Sequence, residues 1–258
     1  MTSPEPEVRV AAEAAPAGGW WDVVGAGRVG QALVRALTEA GVAVRGPHGR
    51  GSDGRGARAV ILCVPDREIE AAGAVVASGP FVGHVSASSP LDVLAPHERF
   101  MMHPLLSIVG PGAHFVGATC AIDGSSPEAL GIAGELAGLL GMRARAIPPE
   151  LRALYHAAAS ASSNYVTTVL GMAEALGARV GLDREALLPL VRAAVEQWAS
   201  SGAALALTGP IARGDETTVE RQRAAVGEHA PPVLELWDAL ATATRTLAAS
   251  RNADGGAT

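Results

Sequence analysis

The sequence predicts an α/β domain built on a mainly parallel sheet, followed by an all-helical domain. Three observations lead there. A glycine-rich turn near residue 25 joins a short apolar run to an amphipathic helix. Strand-like and helix-like segments then alternate through residues 20–147, the pattern of a parallel sheet with helical connections. After Pro148-Pro149 the period becomes helical and stays so. A length of 258 residues allows two domains of ordinary size. The expected organisation is a disordered leader over 1–19, an α/β domain over 20–148, a helical domain over 149–250 and a tail over 251–258.

The first element is the apolar run WWDVV, which feeds Gly25-Ala26-Gly27-Arg28-Val29-Gly30 and then the helix through Ala40. A strand that enters a helix through this turn is the Rossmann dinucleotide fingerprint. Gly25 permits the tight turn, Gly27 lets a pyrophosphate approach the backbone, and Gly30 lets helix and strand pack closely. The helix N-terminus offers free N–H groups to the phosphates. Val42–Arg45 is the expected second strand, and its end meets the adenosine ribose. An acidic residue there favours NAD. Here Arg45 and the loop bearing Arg50 and Arg55 favour the 2′-phosphate of NADP, while Asp53 leaves NAD open.

Ala59–Val64 is continuously apolar, as a strand covered on both faces should be, and a helix follows Pro65-Asp66. Phe81–Val85 is the next strand. Ser89 is expected to cap the helix after it, leaving Ser86 and Ser88 to face the ligand crevice beyond the strand ends. Val64, Pro65 and Ser86 thus join Gly25, Gly27, Arg28, Val29, Gly30, Arg45 and Arg50 as expected cofactor contacts. Strands are expected over Arg99–Met102, Ala118–Ile122 and Met142–Ile147, with a helix from the Ser126 cap to about Leu140. The second half reads as four helices: Glu150 to Arg179, Asp183 to Ser201, one opened by a Thr217–Glu220 capping box, and one opened by Pro231-Pro232.

Composition narrows the function. With a formal charge of −6, the chain has no basic surplus to attract nucleic acid or an anionic membrane. No apolar run is long enough to span a bilayer, and the N-terminus has no basic region of a secretory signal. Two cysteines, Cys63 and Cys120, fit a reducing compartment, so a cytoplasmic location is expected. No metal-ligand spacing is present. All 20 basic residues are arginine, so lysine acid–base or Schiff-base chemistry is excluded.

The long helix after the double proline carries the clearest constellation. His156, Ser160 and Asn164 are spaced by four and share one face, amid small alanines. Hydride transfer to C=O or C=N needs a proton donor beside the nicotinamide, and His156 is the best placed. Ser160 and Asn164 are candidates to hold a carbonyl or carboxylate oxygen. His103, at a strand end before Pro104, is a second catalytic or substrate-side candidate. Ser88 and Arg213, the latter in the loop LTGPIARGD, are candidates for substrate binding; Arg213 equally fits a loop-internal pair with Asp215.

The motifs GAGRVG, CVPD, HVSAS, MMHP, YHAAASASSN and LTGPIARGD together resemble one family. These are Rossmann-like proteins with a C-terminal helical domain of unknown function. They belong to the superfamily of 6-phosphogluconate dehydrogenase, ketopantoate reductase and pyrroline-5-carboxylate reductase. The resemblance covers residues 20–250. It implies an NAD(P) domain, a helical domain that forms a homodimer, and reduction of a small carbonyl or imine substrate. Hydroxyacid dehydrogenases of this superfamily carry a lysine and then an asparagine one turn later. Ser160 and Asn164 have that spacing, so the asparagine is kept and the lysine is not, which moves the proton to His156. His103-Pro104 is similar to prephenate dehydrogenases.

The expected function is therefore an NADP-dependent reductase of a small 2-oxo acid or cyclic imine, bound in the cleft between the domains. A prephenate-type dehydrogenase and a non-catalytic NADP-binding sensor or scaffold are the alternatives.

Overall fold

A computed structural model describes residues 19–254. All but the last residue of the expected leader, and the tail beyond residue 254, lie outside the described residues. The described residues form two compact units, which divide between Ala161 and Ser162.

The first unit is a Rossmann-type α/β domain. Its sheet holds β1 (Trp21–Val24), β2 (Val44–His48), β3 (Ala59–Leu62), β4 (Phe81–His84), β5 (Arg99–Pro104), β6 (Thr119–Gly124) and β7 (Arg143–Ala146). The strand order is β2-β1-β3-β4-β5-β6-β7, parallel except between β5 and β6. The chain leaves β1 toward β2 on one side and reaches β3 on the other. The topological switch point, where such sheets bind ligands, therefore lies between β1 and β3.

Helices cover both faces because alternate strand residues point to opposite sides. Trp21, Val23, Ile61, Phe100 and Met102 are buried with Leu33 and Leu37 of α1 (Arg28–Glu39) and with Ala133 and Leu136 of α3 (Pro127–Leu139). On the opposite face Val24, Val60, Leu62 and Val82 meet Ile69 and Ala72 of α2 (Ile69–Val75) and Leu94. Ser126 caps α3 by accepting from the Ala129 amide at 3.1 Å, as the sequence predicts.

Ser89 is not the expected cap. Leu91–Leu94 is a single 3₁₀ turn without a side-chain cap, and the Ser89 amide donates instead to Ser86 Oγ at 3.0 Å. The second strand also differs from the sequence reading. It runs to His48, held by a bond from the Gly25 amide to the His48 carbonyl at 2.8 Å, so Arg45 lies within it rather than at its end. The register against β1 shifts where Gly46-Pro47 interrupts it, because proline has no N–H to donate.

The helix expected over Glu150–Arg179 has three parts. They are α4 (Arg152–Ser160), a π-helical turn over Ala161–Tyr165, and α5 (Val166–Ala178). The Thr167 and Thr168 hydroxyls each bond the carbonyl four residues back, on Ser163 and Asn164, at 3.0 Å. Such back-bonding competes with the regular helical ladder and bends helices.

The second unit is helical. It contains α5, α6 (Arg184–Ser201), the short α7 (Ala203–Ala206), α8 (Glu216–His229) and α9 (Leu234–Asp254). Asp183 caps α6 through the Ala186 amide at 2.9 Å. For α8 the cap is Asp215, through the Thr218 amide at 3.1 Å, so Thr217–Glu220 sits inside the first turn. A carboxylate is at least as good an N-cap acceptor as a threonine hydroxyl, and it comes first along the chain. Arg223–Asp238 and Arg245–Glu216 pairs join α8 to α9. No helix among the described residues is long and apolar enough to cross a membrane.

Candidate active site

The glycine turn has the geometry its sequence predicts. Gly25 has φ +111°, and a Cβ there would fall 2.3 Å from the Cys63 carbonyl oxygen. A Cβ on Gly30 would lie 1.9 Å from the Gly25 carbonyl oxygen, so α1 packs against the turn only because that position is bare. Gly27 differs: a Cβ there meets nothing within 4 Å. It is the N-cap of α1, with no side-chain cap bond and no acidic residue in the first turn. The helix thus presents uncapped N–H groups to open space, a site suited to a pyrophosphate.

Beyond β2, the buried Asp22 carboxylate accepts from Ser52 Oγ at 3.3 Å and bonds His48 Nε2 at 2.9 Å. This cluster pins the arginine-bearing loop to β1. The Arg45 guanidinium lies 3.6 Å over the Trp20 ring, and Arg50 pairs with Glu68 at 2.5 Å. Both arginines are exposed on the surface.

At the ends of β3, β4 and β5 lies a cavity of about 270 Å³. Its walls are Val29, Cys63, Val64, Asp66, Val85, Ser86, Ala87, Ser88, His103 and His156. The turn after β1, the three strand ends and α4 therefore meet at one place. Helix α4 is held over it by two anchors. Arg152 pairs with Asp123 of β6, and Tyr155 packs with Leu91, Met101 and Ala121 while its hydroxyl lies 2.9 Å from His103 Nδ1. These contacts present His156 to the cavity, with its ring 6.1 Å from that of His103.

The electrostatics divide the two imidazoles. Burial, reinforced by the His156 imidazole, lowers the His103 pKa to about 4, so the ring is neutral near pH 7. The Tyr155 hydroxyl also contacts the His103 carbonyl at 3.3 Å. Both contacts are satisfied together when Nδ1–H donates to Tyr155 and the tyrosine hydroxyl donates to the carbonyl. That tautomer leaves His103 Nε2 as an acceptor. His156 is exposed. The Cys63 thiol is pushed up to about 12 by burial, which removes it as a nucleophile near neutrality.

Ser86 and Ser88 do line the cavity, yet they are not free groups. Their hydroxyls both donate to Asp66 Oδ2, at 2.8 and 2.5 Å. Ser86 Oγ in turn accepts from the Ser88 and Ser89 amides at 3.1 and 3.0 Å. What the serines present is a fixed carboxylate.

Of the expected site residues, Val29, Val64, Ser86, Ser88, His103 and His156 share this cavity. Ser160, one turn beyond His156, is not among its walls. The four-residue stripe persists as α-helix only from His156 to Ser160, and Asn164 lies within the π turn, where the angular step per residue changes. Arg213 ends a 3₁₀ turn in the second unit and is exposed. Among the described residues no ion pair joins it to Asp215, whose carboxylate is held below its usual range chiefly by Thr218.

Asp66, Tyr155 and His84 were not singled out from the sequence. Asp66 directly follows Val64-Pro65, so its place at a strand end in the crevice was the available signal. Tyr155 is adjacent to His156, on the side of the helix that meets the sheet. The buried His84 has its pKa lowered to about 4, mainly by burial, and among the described residues its Nε2 has no partner.

Residues 118–244 match the family model described as a domain of unknown function, DUF2520. The match extends from β6 through most of α9 and so takes in the last strands of the sheet as well as the helices. It agrees with the resemblance carried by the sequence motifs. No curated protein matches the chain.

Among solved structures, a candidate NADP oxidoreductase of Bacteroides fragilis superposes with a TM-score of 0.75 at 19% identity, over 88% of this chain and 98% of its own. A Thermotoga maritima protein gives 0.73 at 21% identity, over 90% and 99%. A Plasmodium falciparum pyrroline carboxylate reductase, solved with NADP bound, gives 0.59 at 13% identity, over 89% and 99%. These likenesses show the shared fold.

Proposed function

We propose that the protein is an NADPH-dependent reductase of a small carbonyl or cyclic imine substrate. One observation carries the reading: Val29 of the dinucleotide turn and the imidazoles of His103 and His156 line the same cavity. The NADP oxidoreductase and the pyrroline carboxylate reductase of the same fold support the reaction class.

Gly25, Gly27, Arg28, Val29 and Gly30 would hold the pyrophosphate, and Val64, Pro65 and Ser86 would flank the nicotinamide end. Arg45 and Arg50 would meet a 2′-phosphate. Arg50 must leave Glu68 to do so, exchanging an exposed ion pair for a charge-assisted bond. Asp53 accepts from the Arg55 amide at 3.0 Å on Oδ1, within its own loop.

When bound, the reduced dinucleotide supplies hydride to the substrate carbon, which leaves the substrate oxygen or nitrogen one proton short. His156 delivers that proton from solvent. Neutral His103, held by Tyr155, accepts a hydrogen bond and orients the substrate. Ser160, Asn164 and Arg213 remain further candidates for holding substrate oxygens.

The test is NADPH binding followed by oxidation at 340 nm with panels of 2-oxo acids and cyclic imines. His156→Gln should lower kcat about 100-fold and leave the NADPH Kd within about twofold. Unchanged turnover would remove His156 from the reaction. Absence of cofactor binding at millimolar concentration would end the reductase reading.

A further inference from the structure

The cavity's charge is one-sided. Among its ten walls, Asp66 is the one residue of fixed charge, and no arginine takes part. The other polar walls are Ser86 and Ser88, whose hydroxyls already point to Asp66, and the two imidazoles. Val29, Val64, Val85 and Ala87 are apolar.

The carboxylate is also prepared to receive a ligand. Both serine bonds fall on Oδ2, and among the described residues no hydrogen bond uses Oδ1. A carboxylate has about four acceptor sites, so one oxygen is tied down while the other remains open to the cavity. A rotamer fixed by two bonds loses little freedom when a donor arrives. Neutral His103 adds a second acceptor without adding positive charge.

A 2-oxo acid would bring its own carboxylate beside Asp66, with no arginine lining this cavity to clamp it. A protonated imine brings the opposite: one positive N–H donor on a hydrocarbon frame. Its nitrogen proton is the one His156 supplies, taken up by the imine before hydride transfer rather than after it, so the product is the neutral amine.

We propose that this cavity selects an iminium ion carried on a compact apolar ring, with Asp66 Oδ1 pairing with its N–H, in preference to a 2-oxo acid. The proposal rests on the reductase reading and narrows its substrate class. It makes Asp66 the specificity-determining residue, and Ser86 and Ser88 its positioning residues.

The experiment has a binding arm and a turnover arm. In the first, piperidine, cationic at pH 7 and shaped like a reduced cyclic imine, is titrated by calorimetry into protein saturated with NADP. Binding in the wild type should fall at least about tenfold in Asp66→Asn, as expected when a charge-assisted bond is lost. Pyruvate should bind more weakly than piperidine, and Asp66→Asn should narrow that difference. In the second arm, NADPH oxidation with unsubstituted cyclic imines should exceed that with 2-oxo acids. The double variant Ser86→Ala/Ser88→Ala should raise KM for the imine more than it lowers kcat.

Tight NADPH binding with turnover of 2-oxo acids alone would overturn the iminium proposal and leave the reductase reading intact. Equal piperidine affinity in wild type and Asp66→Asn would also overturn it. Failure to bind either cofactor would end both readings.

Discussion

At the scale of single residues, the three glycines of the first turn do different work, and the difference can be measured. Gly25 and Gly30 are bare because backbone oxygens stand within 2.3 Å of where a Cβ would be. Substitution there damages the fold and says little about a ligand. Gly27 has ordinary φ of −74° and nothing within 4 Å of its missing Cβ. Gly27→Val should therefore change stability by no more than about 0.5 kcal/mol, or a Tm shift of about 2 °C. The same change should weaken NADPH at least about tenfold by filling the approach to the α1 N-terminus. A Gly27→Val protein that binds NADPH normally would show that the pyrophosphate does not lie there. The arginines after β1 admit a parallel test. Arg45→Ala combined with Arg50→Ala should raise the Kd for NADPH about tenfold or more and that for NADH within about twofold, since only one carries the 2′-phosphate. Equal losses would place the phosphate elsewhere.

At the scale of elements, the adjacent strands β4 and β5 each carry a histidine whose charging is suppressed. His84 and His103 both have pKa values lowered to about 4 by burial, from an ordinary value of 6.5. The unfolded chain therefore binds more protons than the folded chain between pH 6.5 and 4, and stability must decline as pH falls through that window. The Tm should hold steady above about pH 7 and drop by several degrees toward pH 4.5. His103→Asn should make the decline shallower, whereas a parallel decline would show that His103 titrates normally in the folded protein. Neither shift was legible in the chain, because burial of a histidine at a strand end depends on which helix covers it. Here Tyr155 and Arg152 of α4 bind β5 and β6, contacts made across about 30 to 50 residues of sequence. What could be read was whatever local chemistry decides. The Gly25–Gly30 turn, the Ser126 cap and the alternation of strand and helix all follow from short-range sterics and periodicity. The Ser86 and Ser88 hydroxyls looked available because their partner Asp66 comes from a different strand end. The π turn was hidden too, since Ser160, Ser163 and Asn164 allow either a regular helix or a widened one until Thr167 and Thr168 take the carbonyls.

At the scale of the whole molecule, apolar surface is distributed unevenly between the two units. The central strands of the first unit, β1 and β3, are buried throughout, whereas among the described residues of the second unit only Val219, Val226 and Ala230 are buried apolar side chains. Large apolar groups there face solvent instead: Leu190 is 73% exposed, Trp198 59% and Leu205 67%. Leu190, Ala194 and Trp198 are spaced by four along α6 and so form one stripe. An exposed apolar stripe of this kind marks an interaction surface. We propose that a second copy of the chain covers it, giving a homodimer through the C-terminal helices. A two-fold interface buries the same patch on both partners, so one stripe supplies both sides. An unpaired charge placed at the centre of such an interface carries a desolvation cost of several kcal/mol. Light scattering at micromolar protein should give twice the 26.1 kDa chain mass. Leu190→Arg combined with Trp198→Arg should return the single-chain mass while leaving the Tm of the sheet-bearing unit within a few degrees. A wild-type protein that scatters as one chain would refute the dimer, and so would a double arginine variant that still scatters as two.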